Sequence, residues 1–297
     1  MAFDFAQLSH CGTEERTVSC AGQLYSLEDT NDYAKFRSFP WSAGYALEAF
    51  KLGRMERELA NRFDRCTVTA PGELQSYNEM GSSTPCSVIP NGVDVDYFRV
   101  SRKSTSPSAT IVFLGRMDYF PNVAGVLEFV ENVFPLVRQK IPEASLRIVG
   151  SNPSPRVRAL GKLGGISVTG FVPDVRPVVE DAAVAVAPLK IARGTQNKVL
   201  ECMAMGIPVV ASPQAARGVQ AVPGLDLLVG STPQQLADHV ADVIRNPGLR
   251  SSISEAAKRR VASAHRWDAS MRLLDDVLEE GCGRGGEPHA VLELPAR

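Results

Sequence analysis

Residues 184–211 read VAVAPLKIARGTQNKVLECMAMGIPVVA, and this stretch decides the fold class. Two apolar runs, Val184–Ala187 and Pro208–Ala211, flank a basic loop and a helical pattern over Asn197–Met205. A nearly continuous apolar run predicts a strand that is covered on both faces of its sheet. Strand, loop, helix and strand in this order predict two parallel strands joined by a right-handed crossover.

The same alternation continues on both sides of this stretch. Further strands are predicted at Thr110–Leu114, Leu146–Val149, Ile166–Thr169 and, more weakly, Leu227–Val229. Helical spacing of apolar residues predicts one long helix from Pro121 to Lys140, with the proline in its first turn. Further helices are predicted at 154–163, 174–181, 233–245, 249–262 and 267–280. The fold class is therefore α/β, with one complete Rossmann-like domain at residues 100–280 that has a parallel sheet and helices on both faces.

Residues 1–99 predict only part of a second domain of this kind. Tyr45 to Phe63 has an imperfect helical stripe, and Cys66–Ala70 and Cys86–Pro90 are two short strand candidates. These elements are too few to close an independent α/β layer. We interpret the serine-rich segment 100–109 as a boundary between domains, and residues 281–297, which lack periodicity, as a disordered tail.

Composition limits the functional class. The chain has 297 residues, with 32 Lys and Arg against 33 Asp and Glu, so it offers no overall basic field for nucleic acid. It has no apolar run near the length of a membrane span and no secretory pattern at its start, which predicts a cytoplasmic protein. The six cysteines form no C-x-x-C pair, so no metal site is predicted. The four histidines His10, His239, His265 and His289 are isolated, and we interpret His239 and His265 as surface or partly buried side chains.

Gly115 and Arg116 form the first candidate binding motif, directly after the first strand of the complete domain. Ligands of open α/β sheets bind outside the carboxyl ends of the strands. Glycine lets a ligand approach the backbone, and arginine offers a planar fork to phosphate oxygens. A tight turn with a surface arginine is the alternative. A G-x-G-x-x-G motif is absent at this turn, which argues against NAD or FAD, and no cofactor is predicted.

The second candidate lies on the helix of the quoted stretch. Thr195 is placed to cap this helix, whose first-turn N–H groups would attract an anion. Asn197, Lys198 and Glu201 share one helical face. The alternative is a Lys198–Glu201 surface ion pair that contributes under ~1 kcal/mol. The position of the helix after a strand end, behind a basic loop, favours a binding site.

These residues carry a family resemblance. Residues 193–208, with Gly115-Arg116 and the Ile-Pro-Asn-Gly-Val-Asp stretch at 89–94, resemble GT-B glycosyltransferases of the retaining family 4 type. More narrowly, residues 116–122 and 193–201 resemble sugar transferases of bacterial exopolysaccharide gene clusters. The resemblance covers about residues 45–280. It implies a GT-B fold and transfer of a sugar, with retention, from a nucleotide-diphosphate sugar to an acceptor hydroxyl in polysaccharide or glycolipid synthesis.

The resemblance also implies partners and residue roles. The acceptor would be a sugar or a lipid-linked sugar. A lipid-linked acceptor would bring the protein into peripheral contact with the inner face of a membrane. Glu201 matches the carboxylate that accepts hydrogen bonds from the ribose diol, and Arg116 matches the arginine that neutralises the diphosphate. With Lys198 they are the expected catalytic residues, and no metal ion is then required. The expected donor-binding residues are Gly115, Asn122, Val172, Arg193, Gly194, Thr195 and Asn197.

Three features depart from the broad family pattern. Arg193 stands where members usually carry a glutamate, and Pro121 and Asn122 stand where a lysine usually lies beside the phosphates. Arg193 or Lys198 could supply the missing cation. The region before residue 100 lacks a glycine-rich loop and looks like a truncated acceptor-side domain. A non-catalytic protein that binds a nucleotide sugar is therefore the alternative function. A GT-B sugar 2-epimerase is a third and weaker alternative, since the sequence offers no carboxylates and histidines that can be assigned as its acid and base groups.

Overall fold

The computed structural model describes residues 41–99, 109–192 and 194–281. Residues 100–108 of the predicted boundary, the site residue Arg193, the tail from residue 282 and His10 lie outside these ranges. None of the described helices combines the length and the apolar character needed to cross a bilayer.

The amino-terminal part of the described chain is a small unit around two strands. Its elements are α1 (Trp41–Ala60), β1 (Cys66–Val68), α2 (Pro71–Met80) and β2 (Cys86–Val88). The strands pair in parallel, with Cys66 opposite Cys86, and Tyr77 of α2 completes a small core of its own. The apolar pattern of the sequence does not predict α2, because its only buried side chains are Glu73 and Tyr77 and these give no helical period.

A sheet of six parallel strands forms the main body of the fold. The strands are β3 (Thr110–Leu114), β4 (Ser145–Val149), β5 (Ile166–Val168), β6 (Val184–Ala187), β7 (Val209–Ala211) and β8 (Leu228–Val229). Their order across the sheet is β5-β4-β3-β6-β7-β8, and every neighbouring pair is parallel. All residues of β6 and β7 are buried, as their apolar runs predict. The order reverses between β3 and β6, which opens a crevice at the carboxyl ends of these two strands.

Helices cover the main sheet. They are α3 (Phe120–Glu128), α4 (Phe134–Lys140), α5 (Pro155–Leu160), α6 (Arg176–Val179), α7 (Asn197–Ala204), α8 (Pro213–Arg217), α9 (Pro233–Arg245) and α10 (Pro247–Ala264). The last helix, α11 (Trp267–Gly281), lies against the segment after β2, where Ser270 donates a hydrogen bond to the carbonyl oxygen of Pro90. The prediction of one helix over 121–140 is wrong in one respect, since Phe129–Val133 form a π-helical segment between α3 and α4. Pro135 has no N–H to donate to the carbonyl group four residues earlier, so the α-helical pattern cannot run through it.

His265, between α10 and α11, corrects a second prediction. Its side chain is fully buried rather than on the surface or partly buried. An isolated histidine gives no apolar pattern from which this burial could be predicted, because its contacts come from distant parts of the chain.

Candidate functional site

Two loops meet at the crevice between the ends of β3 and β6. One loop follows β3 and leads into α3, and the other follows β6 and leads into α7. Together with the helices that they lead into, these loops carry most of the site residues that the sequence predicts: Gly115, Arg116, Asn122, Gly194, Thr195, Asn197, Lys198 and Glu201. The two motifs singled out in the sequence are therefore neighbours in space.

Gly115 lies close to both the next strand and α3. A Cβ atom on Gly150, at the end of β4, would lie 1.7 Å from the carbonyl oxygen of Gly115. A Cβ atom on Gly115 itself would lie 2.7 Å from the side-chain nitrogen of Asn122. Glycine at both positions thus lets the β3 loop pack directly on the end of β4 and on Asn122.

Asn122 links the two loops of the crevice. Its side chain is buried, and its Nδ2 atom donates a hydrogen bond of 2.9 Å to the carbonyl oxygen of Arg116. Its Oδ1 atom accepts a hydrogen bond from the ammonium group of Lys198. That ammonium group also lies 5.4 Å from the centre of the Phe113 ring, within the range of a cation–π contact. The alternative of a surface ion pair between Lys198 and Glu201 is wrong, since Lys198 bonds to Asn122 instead.

Lys198 and Glu201 both have perturbed pKa values because both are partly buried. Burial lowers the pKa of Lys198 to about 8, and the charge of Glu201 opposes this shift. Burial raises the pKa of Glu201 to about 7, and the charge of Lys198 opposes that shift in turn. Two groups that titrate near neutral pH in a crevice at strand ends are typical of a ligand site.

Arg116 lies on the rim of the crevice rather than inside it. Its side chain is 71% exposed and forms a bidentate pair with Asp118, with distances of 3.2 Å and 3.0 Å. Asp118 also accepts a hydrogen bond from Asn152. The sequence predicts a cation available to phosphate, whereas in the structure Asp118 occupies the guanidinium fork that a phosphate would need.

Thr195 does not cap α7, contrary to the prediction. The residue at the N-cap position is Gln196, and its side chain makes no capping hydrogen bond. The hydroxyl group of Thr195 instead donates a hydrogen bond of 3.1 Å to the carbonyl oxygen of Thr69, which follows β1. The hydroxyl group of Thr195 is therefore used for a contact with the amino-terminal unit and not as a helix cap.

Glu73 is a buried residue at the crevice that the sequence analysis missed. Its Oε2 atom accepts hydrogen bonds from both the amide and the hydroxyl group of Thr69 and from the amide of Ala70. A Cβ atom on Gly194, which has a φ of 56°, would lie 2.9 Å from the Oε1 atom of Glu73. A proline at the first helical position with glutamate two residues later is typical of a helix start, and this signal could have located α2.

The remaining predicted residues lie at the edges of the crevice. Asn197 begins α7, and its Oδ1 atom accepts a hydrogen bond of 3.2 Å from the side chain of Asn91. Val172 follows β5, two strands away from β3, beside the strongly exposed Phe171. Within the described ranges, no group of three or more His, Cys, Asp or Glu side chains is placed to hold a metal ion.

A comparison with protein families and solved structures identifies the architecture. Residues 108–246 match the family model of the group 1 glycosyl transferases. The fold is that of a GT-B glycosyltransferase. The matched segment contains the crevice, all six strands of the main sheet and every predicted site residue.

Two solved structures illustrate the GT-B likeness. Sucrose-phosphate synthase from Thermosynechococcus elongatus has a TM-score of 0.68 and 20% identity, and the match covers 86% of this chain and 67% of that one. Anabaena Alr3699/HepE, solved with UDP and glucose, has a TM-score of 0.65 and 15% identity, with 77% and 67% covered. At such identities the likeness shows the fold alone, and it confirms the predicted fold class.

Curated relatives are similar over part of their length. Phosphatidyl-myo-inositol mannosyltransferase of Mycobacterium tuberculosis is 31% identical over 214 residues, which cover 65% of this chain and 54% of the relative. Chorismate synthase of Parafrankia sp. is 33% identical over 137 residues, 46% of this chain and 33% of the relative. The chain thus spans about half the length of the mannosyltransferase that it matches.

Proposed function

We propose that this chain is a glycosyltransferase that binds a nucleotide-diphosphate sugar in the crevice between β3 and β6. The observation that carries this proposal is the hydrogen bond between Lys198 and Asn122 where the strand order reverses, with Glu201 close enough for its charge to affect the pKa of Lys198. These residues lie within a segment that matches the group 1 family. Ligands of doubly wound sheets bind at this topological position. The reaction is sugar transfer to an acceptor hydroxyl group with retention at the anomeric carbon.

Glu201 is the proposed partner of the nucleotide ribose. Its carboxylate makes no hydrogen bond with the described residues, so both oxygens can accept hydrogen bonds from a cis-diol. Its pKa of about 7 leaves it partly protonated at neutral pH. Two hydroxyl donors favour the charged form of a carboxylate, so bound ribose would lower this pKa.

Lys198 and Arg116 are the proposed partners of the diphosphate. When the bond from the anomeric carbon to the donor phosphate breaks, negative charge grows on the departing diphosphate. The ammonium group of Lys198 and the N–H groups in the first turn of α7 would stabilise that charge, and the support for this role is their common position at the start of the helix after β6. Arg116 would join them once phosphate replaces Asp118 in its guanidinium fork.

A sugar or a lipid-linked sugar is the proposed acceptor, in polysaccharide or glycolipid synthesis. The support is the sequence resemblance together with the mannosyltransferase relative, whose name includes a phosphatidyl inositol. A cytoplasmic protein in peripheral contact with the membrane would suit such an acceptor. The division into an acceptor-side part at 1–99 and a donor-side domain at 100–280 belongs to the same proposal.

Titration calorimetry with UDP, GDP and ADP tests the proposal. We expect one of these nucleotides to bind and Lys198→Ala to weaken its binding at least about ten-fold, the effect of losing one charge-assisted contact. Lys258→Ala is the matched control, because Lys258 is also half-buried but its ammonium group pairs with Glu255 of its own helix α10, at 2.9 Å. Absence of binding by all three nucleotides would refute the proposal. Binding without donor hydrolysis or transfer would favour the non-catalytic alternative.

A further inference from the structure

Residues 90–93, which lead from β2 toward the main domain, lie tightly against the junction of α10 and α11. The amide of Val93 donates a hydrogen bond of 2.8 Å to the carbonyl oxygen of His265. The hydroxyl group of Ser270 donates one of 2.6 Å to the carbonyl oxygen of Pro90. A Cβ atom on Gly92 would lie 2.5 Å from the backbone nitrogen of Trp267. This segment therefore has little room to shift.

The imidazole ring of His265 occupies the centre of that junction. It is fully buried, with Nε2 3.2 Å from the amide nitrogen of Gln220 and Nδ1 3.1 Å from the carbonyl oxygen of Asn91. A backbone N–H can only donate and a carbonyl can only accept. Nε2 is therefore the acceptor, and Nδ1 carries the proton that is donated to Asn91. Burial lowers the pKa of this ring, which keeps it in the neutral form that this pairing requires.

Asn91 connects His265 to the proposed donor site. Its backbone is held by His265, while its side-chain nitrogen donates to the Oδ1 atom of Asn197 at 3.2 Å. Asn197 begins α7 and immediately precedes Lys198. Three parts of the chain, separated by 174 and 106 residues, thus form one hydrogen-bonded series.

We propose that His265 is a positioning residue for the donor site. It fixes the backbone of Asn91, and Asn91 in turn fixes the start of α7, the helix that carries Lys198 and Glu201. The consequence for nucleotide affinity rests on the proposed function, whereas the ordering of α7 does not. The required property is the pair of hydrogen bonds made by the ring rather than the volume that the ring fills.

Two substitutions at His265 separate hydrogen bonding from packing. His265→Phe keeps a flat ring of similar size but removes both hydrogen bonds. His265→Gln supplies an N–H donor and an oxygen acceptor that can serve the same two backbone partners. His239→Phe, at a half-buried histidine on α9, is the matched control. Hydrogen exchange of residues 89–93 and of the first turn of α7, together with affinity for UDP or GDP, is measured in each variant.

We expect His265→Phe to speed exchange in both segments and to weaken nucleotide binding by about five- to ten-fold, the effect of losing the one ring hydrogen bond that holds Asn91. His265→Gln should restore most of both properties, and His239→Phe should change neither. Equal behaviour of the Phe and Gln variants would overturn the proposal, because packing alone would then explain the effect.

Asn91→Ala tests the proposed positioning role while leaving the buried histidine in place. We expect faster exchange only in the first turn of α7, with residues 89–93 still protected. Unchanged exchange in α7 would overturn the positioning role even if His265→Phe does not fold. If the unaltered chain binds no nucleotide, the proposed function fails, and the exchange data alone decide the role of His265.

Discussion

The ammonium group of Lys198 donates a hydrogen bond to the side-chain oxygen of Asn122, 76 residues earlier in the chain. The same amide group holds the carbonyl oxygen of Arg116 through its nitrogen. Asn122 thereby joins the loop after β3 to the helix after β6. The two sides of the crevice form one hydrogen-bonded unit, and a change at Asn122 should therefore affect both.

Asn122→Ala should lower the free energy of unfolding by about 1–3 kcal/mol, because it removes two partly buried hydrogen bonds and leaves the Arg116 carbonyl and the Lys198 ammonium group without their partner. The pKa of Lys198 should fall further, since its charged form loses an acceptor. Urea denaturation checks the stability. Asn132→Ala, at an exposed position in the π-helical segment, should stay within about 0.5 kcal/mol of the unaltered chain. Equal losses in the two variants would contradict this prediction.

Gly150→Ala should destabilise the fold by roughly 2 kcal/mol or more, since its Cβ atom would lie 1.7 Å from the Gly115 carbonyl oxygen, and backbone must move. Gly164→Ala is the matched control, because no atom lies within 4 Å of the added carbon. Thermal unfolding of the two variants checks this. A Gly150 variant as stable as the Gly164 variant would show that the ends of β3 and β4 are not closely packed.

Glu201→Gln should change stability and binding in opposite directions. The folded-state pKa of Glu201 is raised from 4.5 to about 7, so its contribution to stability is fully present below pH 4.5 and is lost as pH rises through about 7. A neutral amide avoids that loss, and the variant should therefore be the more stable at pH 8. Nucleotide affinity should nevertheless fall about ten-fold, since the amide presents a single acceptor oxygen to the ribose diol. Denaturation and calorimetry at pH 8 measure the two effects, and loss of stability there would contradict the pKa assignment.

Nucleotide affinity should be greatest between about pH 7 and pH 8. Below this range Glu201 gains a proton and stops accepting from the diol, and above it Lys198 loses the charge that attracts phosphate. Calorimetry across this range checks the profile. The Glu201→Gln variant shows how much of the fall in affinity at low pH comes from protonation of the nucleotide itself. Its affinity should therefore fall less below pH 7 than the affinity of the unaltered chain. An equal fall in affinity below pH 7 in both proteins would show that Glu201 does not contact the nucleotide.

Local sequence patterns predicted most of the fold that positions the crevice. The apolar runs at 184–187 and 208–211 form buried parallel strands, and the helical pattern between them forms α7. These elements depend on side chains a few residues apart, which sequence periodicity reports directly. Helix α2 and the π-helical segment were missed, because one has too few apolar residues and the other disrupts an otherwise regular pattern.

The sequence by itself determined the parallel sheet, the position of the crevice after β3 and β6, and the residue types available there. Only the tertiary structure decided the partners: Lys198 with Asn122, Thr195 with Thr69, and the buried His265 with Asn91. These pairs are 76, 126 and 174 residues apart, beyond the reach of any local pattern. Folding removes these polar groups from water, and a buried donor or acceptor is then paired with a group that only the tertiary structure places beside it.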